Sequence, residues 1–185
     1  HGESEELIGE VLQGRRDSVV VATKAGLHRV GRAQAHDARP ATLRHECEQS
    51  LRRLRTDHVE LMYLHAPDPD VPVEESAGAV ADLIAQGQER AAGASNMTLS
   101  QLESFHAVCP LSAVQPHYNM LQREIEKELV PWCRLRHISV CVYWPLMKGL
   151  LAGRLPRDHQ FDDADGRKKY PMFQGEEWQR NQDFM

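Results

Sequence analysis

An α/β fold built on a parallel sheet is the class this sequence predicts. Two observations predict it: short apolar, β-branched runs alternate with helical patterns along the chain, and each run closes on polar or functional side chains. The composition suits a packed protein, with 41% hydrophobic and 26% charged residues among 185 and a formal net charge of -5 mixed along the chain. No basic block points to nucleic acid or to an anionic membrane surface. The longest apolar runs, such as Ser18 to Ala22 and Leu111 to Val114, are far too short to span a bilayer. The four cysteines, Cys47, Cys109, Cys133 and Cys141, form no C-x-x-C pair, and they read as buried or half-buried reduced thiols of a cytoplasmic protein.

Each element has its local reason. Ser4 is placed to cap a helix over Glu5 to Leu12, with acids in its first turn where the dipole favours them. Ser18 to Lys24 reads as a strand buried on both faces. Residues 26–38 are polar and turn-rich. Pro40 opens a helix whose Leu43, Cys47, Leu51 and Leu54 recur at spacings of three and four. His58 to His65 is the second strand, closed by the turn Pro67-Asp68-Pro69. A helix over Glu74 to Gln86 turns inward Ala77, Val80, Ala81 and Ile84, and Gly87 stands just past its end. Ala91 to Asn96 is a small-residue strand. Thr98 or Ser100 caps a helix running to Val108, Ser112 to Asn119 is a strand, and Arg123 to His137 is a helix kinked at Pro131. Ile138 to Tyr143 is the last clear strand. The remainder reads as loop until a helical stretch over Glu176 to Met185.

An open doubly wound sheet and a closed barrel both fit five strands with intervening helices. The lack of a G-x-G-x-x-G after the first strand weighs against a dinucleotide fold of the Rossmann type. The strand ends are the informative feature. Lys24, His65, Ser95-Asn96, Gln115 to Asn119 and Tyr143 close the five strands in turn, and in a barrel such ends converge on one catalytic mouth.

At these positions the chain resembles the aldo-keto reductases. The resemblance rests on Val20 to Lys24, Tyr63-Leu-His65 with Pro67-Asp68, Gly93-Ala-Ser-Asn96, Val142-Tyr-Trp-Pro-Leu146 and Gly149-Leu-Leu-Ala-Gly153, in that order. It implies a partial (β/α)8 TIM barrel, approximately strands 3 to 7 with their helices. Residues 1–185 would be one partial domain, and 154–185 a loop and helix after strand 7. It also implies an oxidoreductase reducing a small-molecule aldehyde or ketone with NADP(H), with NAD(H) as the alternative cofactor and no metal. Lys24 and His65 match the catalytic Lys and His. Ser95, Asn96 and Gln115 match residues that bond the nicotinamide carboxamide, and Tyr143 the aromatic that stacks beneath the ring. Trp144, Pro145, Leu146, Lys148, Gly149 and Arg154 match the stretch along the pyrophosphate. Trp144 departs from the serine of many relatives. Each has a plain alternative: Lys24 a snorkelling strand-end lysine, Asn96 a turn cap, Tyr143 a core aromatic.

The family's tyrosine and aspartate fall at or before the first residue. In one register His1 occupies the tyrosine position, and in another the tyrosine lies two residues upstream. The chain thus reads as an interior piece, inactive or nearly so alone, and a non-catalytic nucleotide-binding relative is the rival reading. Two metal-like patterns are set aside. His45-Glu46-Cys47-Glu48-Gln49 carries Gln49 where a zinc helix needs histidine. Asp162-Asp-Ala-Asp-Gly166 has Phe161 at the first calcium-ligand position and reads as an acidic turn.

Overall fold

The computed structural model describes residues 2–30 and 33–185, which form two compact units. The first takes in the chain up to Pro116 together with Ile125–Cys141, and the second His117–Glu124 and Val142–Met185. His1, placed above at the tyrosine position in one register, lies outside the described residues.

The first unit holds a five-stranded sheet in the order β1-β4-β5-β6-β7: Ala22–Ala25, Leu61–Leu64, Ala92–Ser95, Leu111–Gln115 and Ser139–Val140. Every neighbouring pair is parallel, in registers that include Lys24 with Tyr63 and Ser95 with Gln115. Parallel neighbours require crossover connections, and the helices supply them: α2 (Pro40–Leu54), α3 (Val73–Ala85), α4 (Leu99–Val108) and α5 (Leu129–Leu135). The class is α/β, and the arrangement is that of part of a (β/α) barrel.

Helix α2 buries Leu43, Cys47, Leu51 and Leu54, the stripe its spacing predicts. Pro40 sits in its first turn, and Arg55 ends it in the left-handed region at φ 56°. Thr98 caps α4 in a reciprocal capping box with Gln101, a feature that contributes about 1 kcal/mol. Pro131 falls in the first turn of α5, where no hydrogen bond to its nitrogen is needed, so the chain enters that helix late and residues 124–126 form a separate 3-10 turn. Phe105, Leu43, Met62, Leu64 and Leu83 are among the fully buried side chains of the core, each contributing about 1.5–3 kcal/mol by its burial.

Four expectations need correction. The first helix, α1, spans Glu3–Val11, so Ser4 lies inside it and Gly2, at φ 96°, holds the cap position. The first strand begins later than its apolar run and is not buried on both faces. Glu60 takes the Val21 N–H at 2.7 Å, and β1 stands at one end of the strand order, leaving Val20 77% exposed. Within 26–38 the chain forms an antiparallel hairpin, β2 (Leu27–Val30) with β3 (Ala33–His36). Cys141 is exposed because β7 is last in the strand order, although its N–H still bonds the Val114 carbonyl at 2.9 Å.

The second unit has its own small core of Met147, Leu150, Met172, Phe173 and Trp178, the last on α6 (Gly175–Phe184). Its acidic turn is occupied by cations: Asp165 grips Arg167 and Asp163 binds Lys168. Among the described residues no helix is long and apolar enough to cross a membrane, and no cluster of three or more His, Cys, Asp or Glu could hold a metal ion.

Candidate active site

In the first unit the carboxyl ends of neighbouring strands present their side chains in a row. Lys24 lies on β1 opposite Tyr63, and the His65 N–H bonds the Ala25 carbonyl at 2.8 Å, which sets His65 one step beyond the end of β4. Asn96, in the left-handed region at φ 55°, donates from its amide to the His65 carbonyl at 2.8 Å. Ser95 donates its hydroxyl to the Gln115 carbonyl at 2.7 Å across the β5–β6 pair. The four strand ends are thereby tied to their neighbours through the backbone and through the side chains of Ser95 and Asn96. Lys24, His65, Ser95, Asn96 and Gln115 share one end of one sheet.

Lys24 and His65 open onto a cleft of about 560 Å³ that Glu5, His28, Glu46 and Arg53 also line. The two acids are held by other partners. Glu5 bonds Arg53 at 2.6 Å and also Thr23, while Glu46 accepts from the Gly26 N–H at 2.6 Å. Burial lowers the His65 pKa, and the nearby positive charges of Lys24 and His36 lower it further. The imidazole is accordingly neutral near pH 7, able to donate one hydrogen bond and accept another.

Two residues that the sequence reading named only within motifs, with no role of their own, shape this end of the sheet. The Tyr63 ring is buried, and the Lys24 ammonium lies 5.7 Å from its centroid. Gly93 makes room for that ring, since a Cβ there would stand 2.4 Å from Tyr63 Cδ1. A glycine inside the Ala92–Ser95 strand was the available signal, because such a glycine often marks a close approach. Gly93→Ala is expected to cost about 1–3 kcal/mol by overpacking, read as a lowered denaturation midpoint in urea; an unchanged midpoint would show that the ring moves freely.

The remaining sequence-predicted positions fall in the second unit. Tyr143 pairs with His117 in an isolated parallel bridge, and its ring meets Trp144 edge to face at 5.3 Å. Pro145, Leu146 and Arg154 are exposed. The loop is tightly wound: Trp144, Met147, Lys148 and Gly149 all have positive φ, at 57°, 46°, 55° and 96°. Buried Asn119 anchors it by accepting the N–H groups of Leu121 and Gln122 and donating to the Trp144 carbonyl at 3.3 Å.

The comparisons agree with this architecture. The aldo/keto reductase family model matches residues 1–184, so the chain belongs to that family. It is 38% identical over 175 residues to the aldo-keto reductase YhdN of Bacillus subtilis, covering 94% of this chain and 53% of the relative. Among solved structures, a glycerol dehydrogenase from Gluconobacter oxydans superposes with a TM-score of 0.89 at 38% identity, over 98% of this chain and 57% of that one. An aldo-keto reductase from Klebsiella pneumoniae in complex with NADP and acetate gives a TM-score of 0.69 at 31% identity, over 83% of this chain and 51% of that one. The chain spans about half the length of the curated relatives it matches.

Proposed function

We propose that the protein carrying this chain reduces aldehydes or ketones with NADPH, and that Lys24 and His65 act on the reacting carbonyl. The observation that carries this reading is the row of strand ends, where a lysine and a neutral histidine stand beside hydroxyl and amide groups on adjacent strands. The relative from Klebsiella pneumoniae in complex with NADP supports the choice of cofactor.

The donor set suits a dinucleotide. Ser95 donates to the Gln115 carbonyl and keeps lone pairs with which to accept from a carboxamide, and the Asn96 and Gln115 amides offer both donors and acceptors. In the second unit, Tyr143 offers an aromatic face and Lys148 and Arg154 offer positive charge for phosphate. Trp144, Pro145, Leu146 and Gly149 shape the loop that carries them. When bound, the cofactor supplies the hydride.

The chain's own residues then govern charge. As the carbonyl oxygen becomes negative, the Lys24 ammonium provides positive potential and His65 provides an N–H donor. Because the imidazole is neutral, it orients the oxygen without adding a second fixed charge beside Lys24. Asn96 holds the backbone immediately after β4 and so limits where His65 begins.

The test is consumption of NADPH by the full-length protein with a panel of simple aldehydes and ketones, alongside calorimetric titration of NADPH. Carbonyl-dependent consumption supports the reading. Binding without turnover on any carbonyl points to a non-catalytic nucleotide-binding role, and no binding overturns the proposal.

A further inference from the structure

The Lys148 ammonium has an unusual setting. Its Nζ lies 3.7 Å from the centroid of the Trp144 ring and 4.3 Å from that of Tyr170. The two rings meet edge to face, 5.5 Å apart with 82° between their planes, so the cation occupies the corner of two perpendicular aromatic walls. Among the neighbouring cations, Arg167 is bound to Asp165 and Lys168 to Asp163, while Lys169 approaches only the Tyr170 ring, at the longer distance of 5.2 Å. No carboxylate lies within 4 Å of Lys148 among the described residues.

The distinction is physical. A carboxylate fixes a cation and cancels its charge, whereas an aromatic face fixes it and leaves the charge in place. Lysine carries four rotatable bonds, and holding it costs side-chain entropy that an unsupported surface lysine must meet when it binds an anion. The backbone favours the same arrangement at a cost. Trp144 and Lys148 both adopt positive φ, which disfavours a non-glycine residue by about 1–2 kcal/mol each, yet these values bring the ring and the ammonium of one short loop together. A serine at position 144 could give a phosphate one hydroxyl but could not hold the lysine.

We propose that Trp144 and Tyr170 are positioning residues that hold the Lys148 ammonium, with its charge intact, for a phosphate group of the dinucleotide. This rests on the cofactor reading above and adds residue 170, well beyond the loop, to the determinants of affinity. The rings act through Lys148 and need not touch the ligand.

The experiment is a double-mutant cycle in the full-length protein, read by calorimetric titration with NADPH. Lys148→Met is expected to weaken binding about tenfold, and Trp144→Leu or Tyr170→Leu about three- to tenfold each. In the Lys148→Met background the leucine substitutions should add no further loss. Trp144→Phe and Tyr170→Phe, which keep an aromatic face, should stay within about twofold of the parent. In steady state these losses should appear in KM for NADPH and not in kcat. Independently of cofactor, the ε-methylene protons of Lys148 should be shifted upfield by the rings, and the shift should vanish in Trp144→Leu.

Full additivity of the lysine and ring substitutions overturns the positioning role. So does an unshifted ε-methylene, which shows that the corner does not hold the side chain in solution. A Lys148→Met protein that binds NADPH as tightly as the parent, with the upfield shift present in the parent, overturns the assignment of this loop to phosphate while leaving the aromatic corner as a structural fact.

Discussion

Glu89→Val is expected to stabilise the protein, with a gain that grows from acid to mildly alkaline pH. Glu89 is 1% exposed, and its carboxyl oxygens have no partner stronger than the weakly donating Cys47 thiol. It lies in the core of the first unit because its backbone pairs with Val59 just before β5, while Cys47 of α2 and Cys109 after α4 stand close by. Burial pushes its pKa up to about 8, and the Cys47 thiol, a weak donor, offsets only part of that rise. Burial also holds those thiols high, at about 12 for Cys47 and about 11 for Cys109, so both remain neutral through the same range.

The direction of the pH effect follows from proton counting. Below about pH 4.5 the carboxyl is protonated in both folded and unfolded chains and does not affect the pH dependence. Between that point and about pH 8 the unfolded chain ionises while the folded one holds its proton, so stability falls by about 1.4 kcal/mol per pH unit. Above about pH 8 both forms ionise and the loss levels off. Over the whole window the loss is on the order of 5 kcal/mol, a large fraction of a domain's stability. Glu89→Val should remove this slope, and it should also remove the cost of a buried, poorly partnered polar group, about 1–3 kcal/mol. Glu89→Gln should flatten the slope without the second gain. Urea denaturation at several pH values reads both, and equal slopes in parent and Glu89→Val would show that the carboxyl is solvated or paired in solution.

Glu89 also shows where sequence reading reaches its limit. The positions that obeyed a local rule were legible: the Leu43, Cys47, Leu51 and Leu54 stripe, the Thr98 cap, the Asp68 turn and the polar strand ends all depend on neighbours within a few residues. Asp68 indeed accepts the Asp70 N–H at 2.9 Å, as a turn-forming aspartate does. Glu89 depends on Val59, and Tyr170 on Trp144 and Lys148, partners that no periodicity connects. The hairpin of β2 and β3 was hidden for another reason, because its described side chains, at 27, 28 and 34–36, are half-buried or exposed and carry no apolar alternation that marks a sheet face. The apolar run before β1 misled in the opposite sense, since Val19 and Val20 carry strand propensity but Glu60 captures the Val21 N–H that would extend the ladder.

The same contrast between local and long-range causes sets the expectation for the strand-end pair. Lys24→Met is expected to lower kcat for carbonyl reduction by about 10²–10³, because it removes positive potential where negative charge develops and leaves the fold alone. Lys24 is exposed, so a stability loss should not obscure the result. His65→Leu should cost a comparable factor of about 10² by removing a donor to the same oxygen. Its neutral state gives a second handle. With the pKa held low by burial and by the charges of Lys24 and His36, the imidazole gains its proton only on the acid side of its ordinary range. Lys24→Met removes one of those charges, so the His65 pKa should rise, which NMR titration of the imidazole can follow without cofactor or substrate. The double variant is the decisive measurement. If both groups serve one developing charge, losing the second after the first should add little, and the combined loss should fall well short of the product of the single losses. Losses that multiply would place the two side chains in separate roles, and single variants within twofold of the parent would remove both from the chemistry.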